Sequence, residues 1–376
     1  RIEAGRVTAA SVDRYSSDHQ SSHCRLGSVA CLVRRARRRR TFYMKPPPAP
    51  LSLGRYPTPV FRADALSRAG AELWVKNDGV SAEPYGGNKV RKLELVLADA
   101  ARRGARRIVT TGAGGSHHVL ATAVYARAIG VPVLAVLCPQ PWTSHAEATL
   151  RASLGHGIDV RVVGSMSAVP LGIAAALRRG DYFVPAGGSS RLGTLGYARA
   201  VAELAGQIRS GELPEPDVIV VPFGSGGTVA GILAGVLREG LRARVVAVSV
   251  AVSATLGRGV VLALARAATR LDGGDAGLLR LSRAPAADSE HLGAGYAHHT
   301  PAAASATIAA RSVGLTLDPT YTAKTFARAL EDVRAPAAHR VRVLYWHTLS
   351  AAPVAPLLAN APAFVPPALE RLLPGR

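Results

Sequence analysis

From about residue 72 the chain alternates short apolar runs with longer stretches whose apolar positions recur every three or four residues. The runs 73–76, 108–111, 131–137, 160–163, 182–184, 218–223, 245–250 and 341–346 are rich in Val, Ile and Leu and have strand length. Between them, residues 91–103, 118–129, 146–154, 192–209, 229–238 and 326–333 follow a helical period. Strands that read as continuous apolar runs are buried on both faces, and helix-length crossovers join them in parallel. The pattern predicts an α/β fold without internal repeats. Residues 187–196, rich in Gly and Ser, are a plausible domain seam. In such sheets ligands sit beyond the carboxyl ends of the strands, so the loops there hold the candidate chemistry.

Composition then narrows the class. With 376 residues, 48% of them hydrophobic, the chain can bury a sizeable core, and its length suits two or three domain-sized units. No apolar run reaches the roughly 20 residues a membrane helix needs. Residues 26–33 are a short apolar run with arginines after it, whereas a signal peptide places its charge first. The expectation is a soluble, unexported, cytoplasmic protein without a membrane partner. Cys24, Cys31 and Cys138 are too sparse and irregular for a disulfide framework or a zinc site, and no metal is expected.

Charge changes the picture at one end. The formal net charge is +21, and residues 1–43 hold ten arginines against Glu3, Asp13 and Asp18. This segment has no strand or helix period and ends in the basic run 34–40. The first methionine is Met44, followed by a Pro-rich stretch. We expect Met44 to be the natural start, with residues 1–43 either upstream translation or a disordered arm. Arginine clusters can bind nucleic acid. Here aromatics are only 5% of the chain, and arginine outnumbers lysine 41 to 5 throughout, as a coding bias would produce. Nucleic acid is not the expected partner.

Three loops carry candidate chemistry. Gly224-Ser225-Gly226-Gly227-Thr228 lies between a strand and a helix. Small residues and a helix N-terminus suit a phosphate, and the Ser225 and Thr228 hydroxyls can donate as well. The stretch has no Lys or Arg and matches neither the Walker A nor the dinucleotide pattern. A plain glycine turn is the alternative. In Gly86-Gly87-Asn88-Lys89-Val90-Arg91-Lys92, Asn88 reads as an N-cap that puts Lys89 in the first turn of a helix. The helix dipole and two neighbouring cations would depress its pKa, as a Schiff-base lysine requires. The alternative is a solvated surface lysine. The chain has only five lysines, and Lys45 lies in a tail, Lys76 in a strand and Lys324 in a turn before a helix. The third loop, Thr111-Gly112-Ala113-Gly114-Gly115-Ser116-His117-His118, could hold a carboxylate or exchange protons, or simply cap a helix with Ser116.

These loops, in this order, resemble those of fold-type II pyridoxal-phosphate (PLP) enzymes, the tryptophan-synthase-β group. The Gly-Gly-Asn-Lys-x-Arg-Lys-Leu-Glu run is similar to the branch containing D-cysteine desulfhydrase and 1-aminocyclopropane-1-carboxylate (ACC) deaminase. Lys76-Asn77-Asp78, Pro185-x-Gly187-Gly188-Ser189, Gly293-x-Gly295-Tyr296, Asp318-Pro319-x-Tyr321 and His347-Thr348 extend the likeness over roughly residues 50–350. The resemblance implies two open parallel-sheet domains with the site between them: 44–89 with 186–376 as the large PLP-binding domain, and 90–185 as the small one. It implies pyridoxal 5'-phosphate on Lys89, which also moves the substrate Cα proton. Gly224, Ser225, Gly226, Gly227 and Thr228 would hold the phosphate, with Asn88 and Thr348 also at the cofactor. Ser116, His117, His118 and Tyr296 would meet the substrate, with Ser116, Tyr296 and Tyr321 assisting proton transfer. A homodimer acting on a small amino acid is implied too.

ACC deaminases typically carry Glu after the Asp-Pro-x-Tyr tyrosine and Leu after the late histidine. Here these are Thr322 and Thr348, which points to β-elimination from D-cysteine or a relative. ACC deamination, a racemase-like proton shuttle and a PLP-binding protein without turnover are the alternatives. The sequence departs from the branch at His117, where Asn is usual, and at Val313, Ala323, Leu349 and Ser350.

Overall fold

The apolar runs become strands and the periodic stretches become helices. In chain order come β1 (Val60–Arg62), β2 (Ala71–Asn77), α1 (Asn88–Arg102), β3 (Arg107–Ala113), α2 (His117–Ala128), β4 (Val133–Cys138), α3 (Ser144–Gly155), β5 (Ile158–Val162), α4 (Val169–Ala176) and β6 (Asp181–Val184). After these follow α5 (Arg191–Arg209), β7 (Val218–Phe223), α6 (Gly227–Arg238), β8 (Arg244–Ser249), α7 (Ala254–Leu271), β9 (Ala286–Asp288), α8 (Pro301–Arg311), α9 (Thr322–Arg334) and β10 (Val341–His347). This computed structural model describes residues 46–251, 254–336 and 339–375. The basic segment 1–43 and Met44 lie outside the described residues.

Strands β3 to β6 make a four-stranded sheet in the order β5-β4-β3-β6, with every pair parallel. The other strands make a six-stranded sheet, β1-β2-β10-β7-β8-β9. It is parallel except that β1 runs antiparallel to β2. The strands expected from the sequence are parallel as predicted; the added edge strand β1 is antiparallel because residues 63–70 are too few for a crossover, which takes a dozen or more.

Alternation along each strand divides its side chains between two faces. Val218 and Val220 of β7 pack with Val246, Val248, Leu73 and Val75 against α8 and α9. Ile219 and Val221 face the opposite way, into a core shared with α5, α6 and α7. In the small sheet Val109, Leu134 and Val136 meet α4. Ile108, Val133, Ala135 and Leu137 join the large core with α1, α2 and α3. Helices therefore cover both faces of each sheet, which explains strands without a polar side. Among the described residues, no helix is long and apolar enough to cross a membrane.

A buried ionic hub lies just beyond the carboxyl end of β2. Asp78 accepts from Arg91 Nη2 at 2.8 Å, Tyr197 Oη at 2.6 Å and Trp346 Nε1 at 2.8 Å, joining α1, α5 and β10. Lys324 is not in a turn, as its sequence context suggests. It lies in the first turn of α9, fully buried, because its amine donates to the carbonyls of Leu292 at 2.7 Å and Gly295 at 3.0 Å.

Candidate active site

The ends of β3 and β7 face one cavity of about 540 Å³, lined from both sheets. Each predicted loop arrives there for a local reason. After β7 the chain turns through Gly226, whose φ of +87° suits glycine. Helix α6 begins at Gly227, whose own N–H is taken by Ser189 Oγ, so the N–H groups just after it are the ones that suit an anion. The loop is tightly enclosed. A Cβ on Gly227 would lie 2.5 Å from Ser189 Oγ, and one on Gly224 would lie 3.2 Å from the Tyr321 ring. Gly224, Ser225, Gly226 and Thr228 line the cavity, while Gly227 sits behind them, its N–H donating to Ser189 Oγ at 3.0 Å.

Helix α1 corrects one expectation. Gly87, at φ +86°, is the N-cap, and Asn88 is already helical. The Asn88 side chain does not cap because it is engaged across the site. Its Nδ2 donates to Thr228 Oγ1 at 3.1 Å, and its Oδ1 accepts from Lys89 Nζ at 2.6 Å. The lysine is thus two hydrogen bonds from the glycine loop. Burial lowers the Lys89 amine to about 8, against a smaller opposing effect of Asp318. Lys92 also lines the cavity, but its amine donates to the Gly187 carbonyl at 3.0 Å.

Ser116 lines the cavity and caps α2, accepting from the Val119 N–H at 3.4 Å. His118 is buried with Nε2 2.9 Å from Thr110 Oγ1, so it braces β3 while lining the cavity. Tyr321 Oη donates to Tyr296 Oη at 3.1 Å, with the rings edge to face at 5.8 Å. Burial raises the Tyr296 phenol to about 12 and holds that of Tyr321 well above its ordinary value. Thr348 lines the cavity. Thr322 does not, because its hydroxyl is committed to the Asp318 carboxylate at 2.7 Å.

Sequence reasoning missed several of the lining residues. Asp318 is buried in the wall, where its carboxylate accepts from the N–H groups of Thr320, Tyr321 and Thr322. Burial works to raise that carboxyl, but His117 and the donors from Thr322 and Tyr321 hold it low. Its Asp-Pro motif was visible in the sequence, but its place in the wall was not. Tyr85, Cys138 and Gln140 line the cavity with no signal in their spacing.

An amine of reduced basicity on the wall of a cavity whose opposite loop is shaped for a phosphate is what a PLP enzyme requires. The two open sheets make the fold that of type II. The residues present fit the cofactor: the close-packed glycine loop would take the phosphate, and Lys89 would be the attachment point. Comparison with known proteins agrees. The model of the family described as pyridoxal-phosphate dependent enzymes matches residues 51–348, and the chain belongs to that family. It is 32% identical over 288 residues to the D-cysteine desulfhydrase of Yersinia pestis, a match covering 73% of this chain and 86% of that protein. It is 36% identical over 184 residues to a Pyrococcus horikoshii protein named provisionally as an ACC deaminase. That match covers 46% of this chain and 54% of the relative, about half the relative's length. The crystal structure of an ACC deaminase homologue superposes with a TM-score of 0.71 at 29% identity, covering 85% of this chain and 97% of that one.

Proposed function

We propose that this chain is a PLP-dependent lyase that removes a β-substituent from a small amino acid. D-Cysteine is the first substrate to test, giving a 2-oxo acid, ammonia and sulfide. One observation carries the reading: the Lys89 amine, lowered to about 8, faces the cavity two hydrogen bonds from the glycine loop.

The cofactor, when bound, supplies an electron sink for charge left on the substrate Cα. Gly224, Ser225, Gly226 and Thr228 would hold its phosphate on helix-terminal N–H groups and hydroxyls, the Gly227 N–H being committed to Ser189. Asn88 and Thr348, which line the cavity, would be the polar groups beside its ring. Lys89 Nζ, partly neutral near pH 7, takes the Cα proton. Ser116 and the N-terminus of α2 bind the substrate carboxylate. The paired phenols of Tyr296 and Tyr321 hold a proton at the substrate, kept there by their raised pKa values. Thr348 would favour elimination, since a hydroxyl there could bond a pyridine nitrogen without fixing a proton on it. Thr322 contributes nothing of that kind, because Asp318 occupies it. The likeness to the ACC deaminase homologue supports ring opening of ACC as the second reading. We further propose a cytoplasmic homodimer.

The test is 2-oxo acid release by PLP-loaded protein from D-cysteine, L-cysteine and ACC side by side. Release from D-cysteine is the expected result. Release from ACC alone would replace the proposal with the second reading, and a spectral change without product would mark a binding protein.

A further inference from the structure

His117 stands apart from the rest of the cavity wall because its ring is bonded at both nitrogens to groups that can themselves exchange protons. Nδ1 is hydrogen-bonded to the Tyr85 hydroxyl, and Nε2 lies 2.8 Å from Nε2 of His145. Tyr85 and His117 line the cavity. Tyr85 is buried and its phenol is raised by that burial, so it is a proton donor and not a phenolate at neutral pH. His145 lies outside the cavity lining, in the first turn of α3, and is half-buried rather than enclosed. The three groups form an unbroken file from the cavity wall towards the surface.

The chemistry of the middle residue suits that file. Two imidazoles joined Nε2 to Nε2 share one hydrogen, so one donates while the other accepts. Burial and the adjacent His145 lower the pKa of His117, against Asp318, with Lys89 adding to the lowering. A neutral imidazole has one N–H and one lone pair, the combination that can receive a proton at one nitrogen while releasing one at the other.

We propose that Tyr85, His117 and His145 are a proton relay that delivers a proton from solvent to the departing substituent. This rests on the elimination reading above. The shift balances atom by atom. The broken Cβ–S bond leaves its electron pair on sulfur, which takes the Tyr85 hydroxyl proton. Tyr85 oxygen takes the Nδ1 proton of His117, and His117 Nε2 takes the Nε2 proton of His145. His145 is replenished by a solvent proton at Nδ1. One proton enters and one S–H bond forms. Tyr85 is the member that meets the reacting atoms; the histidines act through it.

The test uses the full-length PLP-loaded protein and two kinds of readout. Proton NMR of the protein without substrate should show a low-field imidazole N–H signal that disappears in His145→Ala and in His117→Asn. In turnover, His145→Ala should lower kcat by about ten- to a hundredfold, at or below the foot of the roughly hundred- to ten-thousandfold range for direct acid–base catalysis. KM and the yellow, borohydride-reducible chromophore should be unchanged. Added imidazole should restore the rate of His145→Ala but not of Tyr85→Phe. An unchanged kcat in His145→Ala, or a loss that imidazole does not rescue, overturns the relay while wild-type turnover leaves the elimination reading intact. Wild-type silence towards every β-substituted amino acid overturns both.

Discussion

Lys89 shows how one residue can be costly to the fold and necessary to the site. Its ordinary pKa of 10.5 falls to about 8 in the folded chain through burial. Between those values the unfolded chain binds more protons than the folded one, so stability rises with pH across that window. Below pH 8 the full cost of burying the charge is present. Cofactor-free Lys89→Met is therefore expected to be more stable than wild type at pH 7, by at most about 3 kcal/mol. The gap should narrow as pH rises from 8 towards 10.5. Urea unfolding of both proteins at several pH values checks this, and a gap independent of pH would sink it. The residue itself was legible, because a lysine between Asn88 and Val90 at a helix start, in a chain with only five lysines, is conspicuous. Its partners were less so. His117 and Tyr85 are 32 positions apart, and His117 and His145 are 28 apart, so only the fold brings the three rings together.

Among the elements, the crossing of α5 with its neighbours fixes where the site loops sit. A Cβ on Gly196 of α5 would lie 2.1 Å from the Arg91 carbonyl in α1, and one on Gly231 of α6 would lie 2.3 Å from Tyr197 Cβ. Helices that approach this closely have no room for a methyl group. Gly231→Ala is expected to cost at least the 1–3 kcal/mol typical of overpacking. Gly259, in α7, has nothing within 4 Å of its missing Cβ. Gly259→Ala should instead stabilise by about 0.5–1 kcal/mol through helix propensity. Thermal melts of the two variants should move in opposite directions; a shared direction would mean that the helix contacts are not what limits stability. The apolar runs showed most strands and the helices between them within a few residues. β1, β9, α4, α7 and α8 went unread. β1 and β9 are three residues each, too short for a period. α4 is apolar on most sides and α8 (PAAASATIAAR) is mostly alanine, so neither presents the stripe that marks a helix. α7 does have such a stripe, in Val261, Leu262, Ala265, Ala268 and Leu271, and was simply passed over. Strand order was not readable either, since it depends on contacts remote in sequence.

At the scale of the whole molecule, the C-terminal segment joins the small-sheet loops to the rest of the chain. It leaves β10 of the large sheet and runs back along α3, where Arg151 Nε donates to the Pro362 carbonyl at 2.9 Å. Farther on, the Leu372 carbonyl accepts from the Gln140 N–H at 3.0 Å, and that of Pro374 from the Trp142 N–H at 3.1 Å. Gln140 in turn accepts the Gly115 N–H at 2.9 Å, one residue before Ser116. Leu372 is fully buried and lies close against Gly114. The segment thus supports the loop proposed to bind the substrate carboxylate, while the glycine loop proposed for the phosphate belongs to the other sheet. Leu372→Ala is expected to cost about 2–5 kcal/mol, as other buried leucines do. It should also raise KM severalfold by loosening the Ser116 loop. The PLP chromophore and its reduction by borohydride should be kept, because Lys89 and residues 224–228 do not touch the segment through any of these bonds. A lower melting temperature with an unchanged KM would show that the segment holds the fold without positioning the substrate loop.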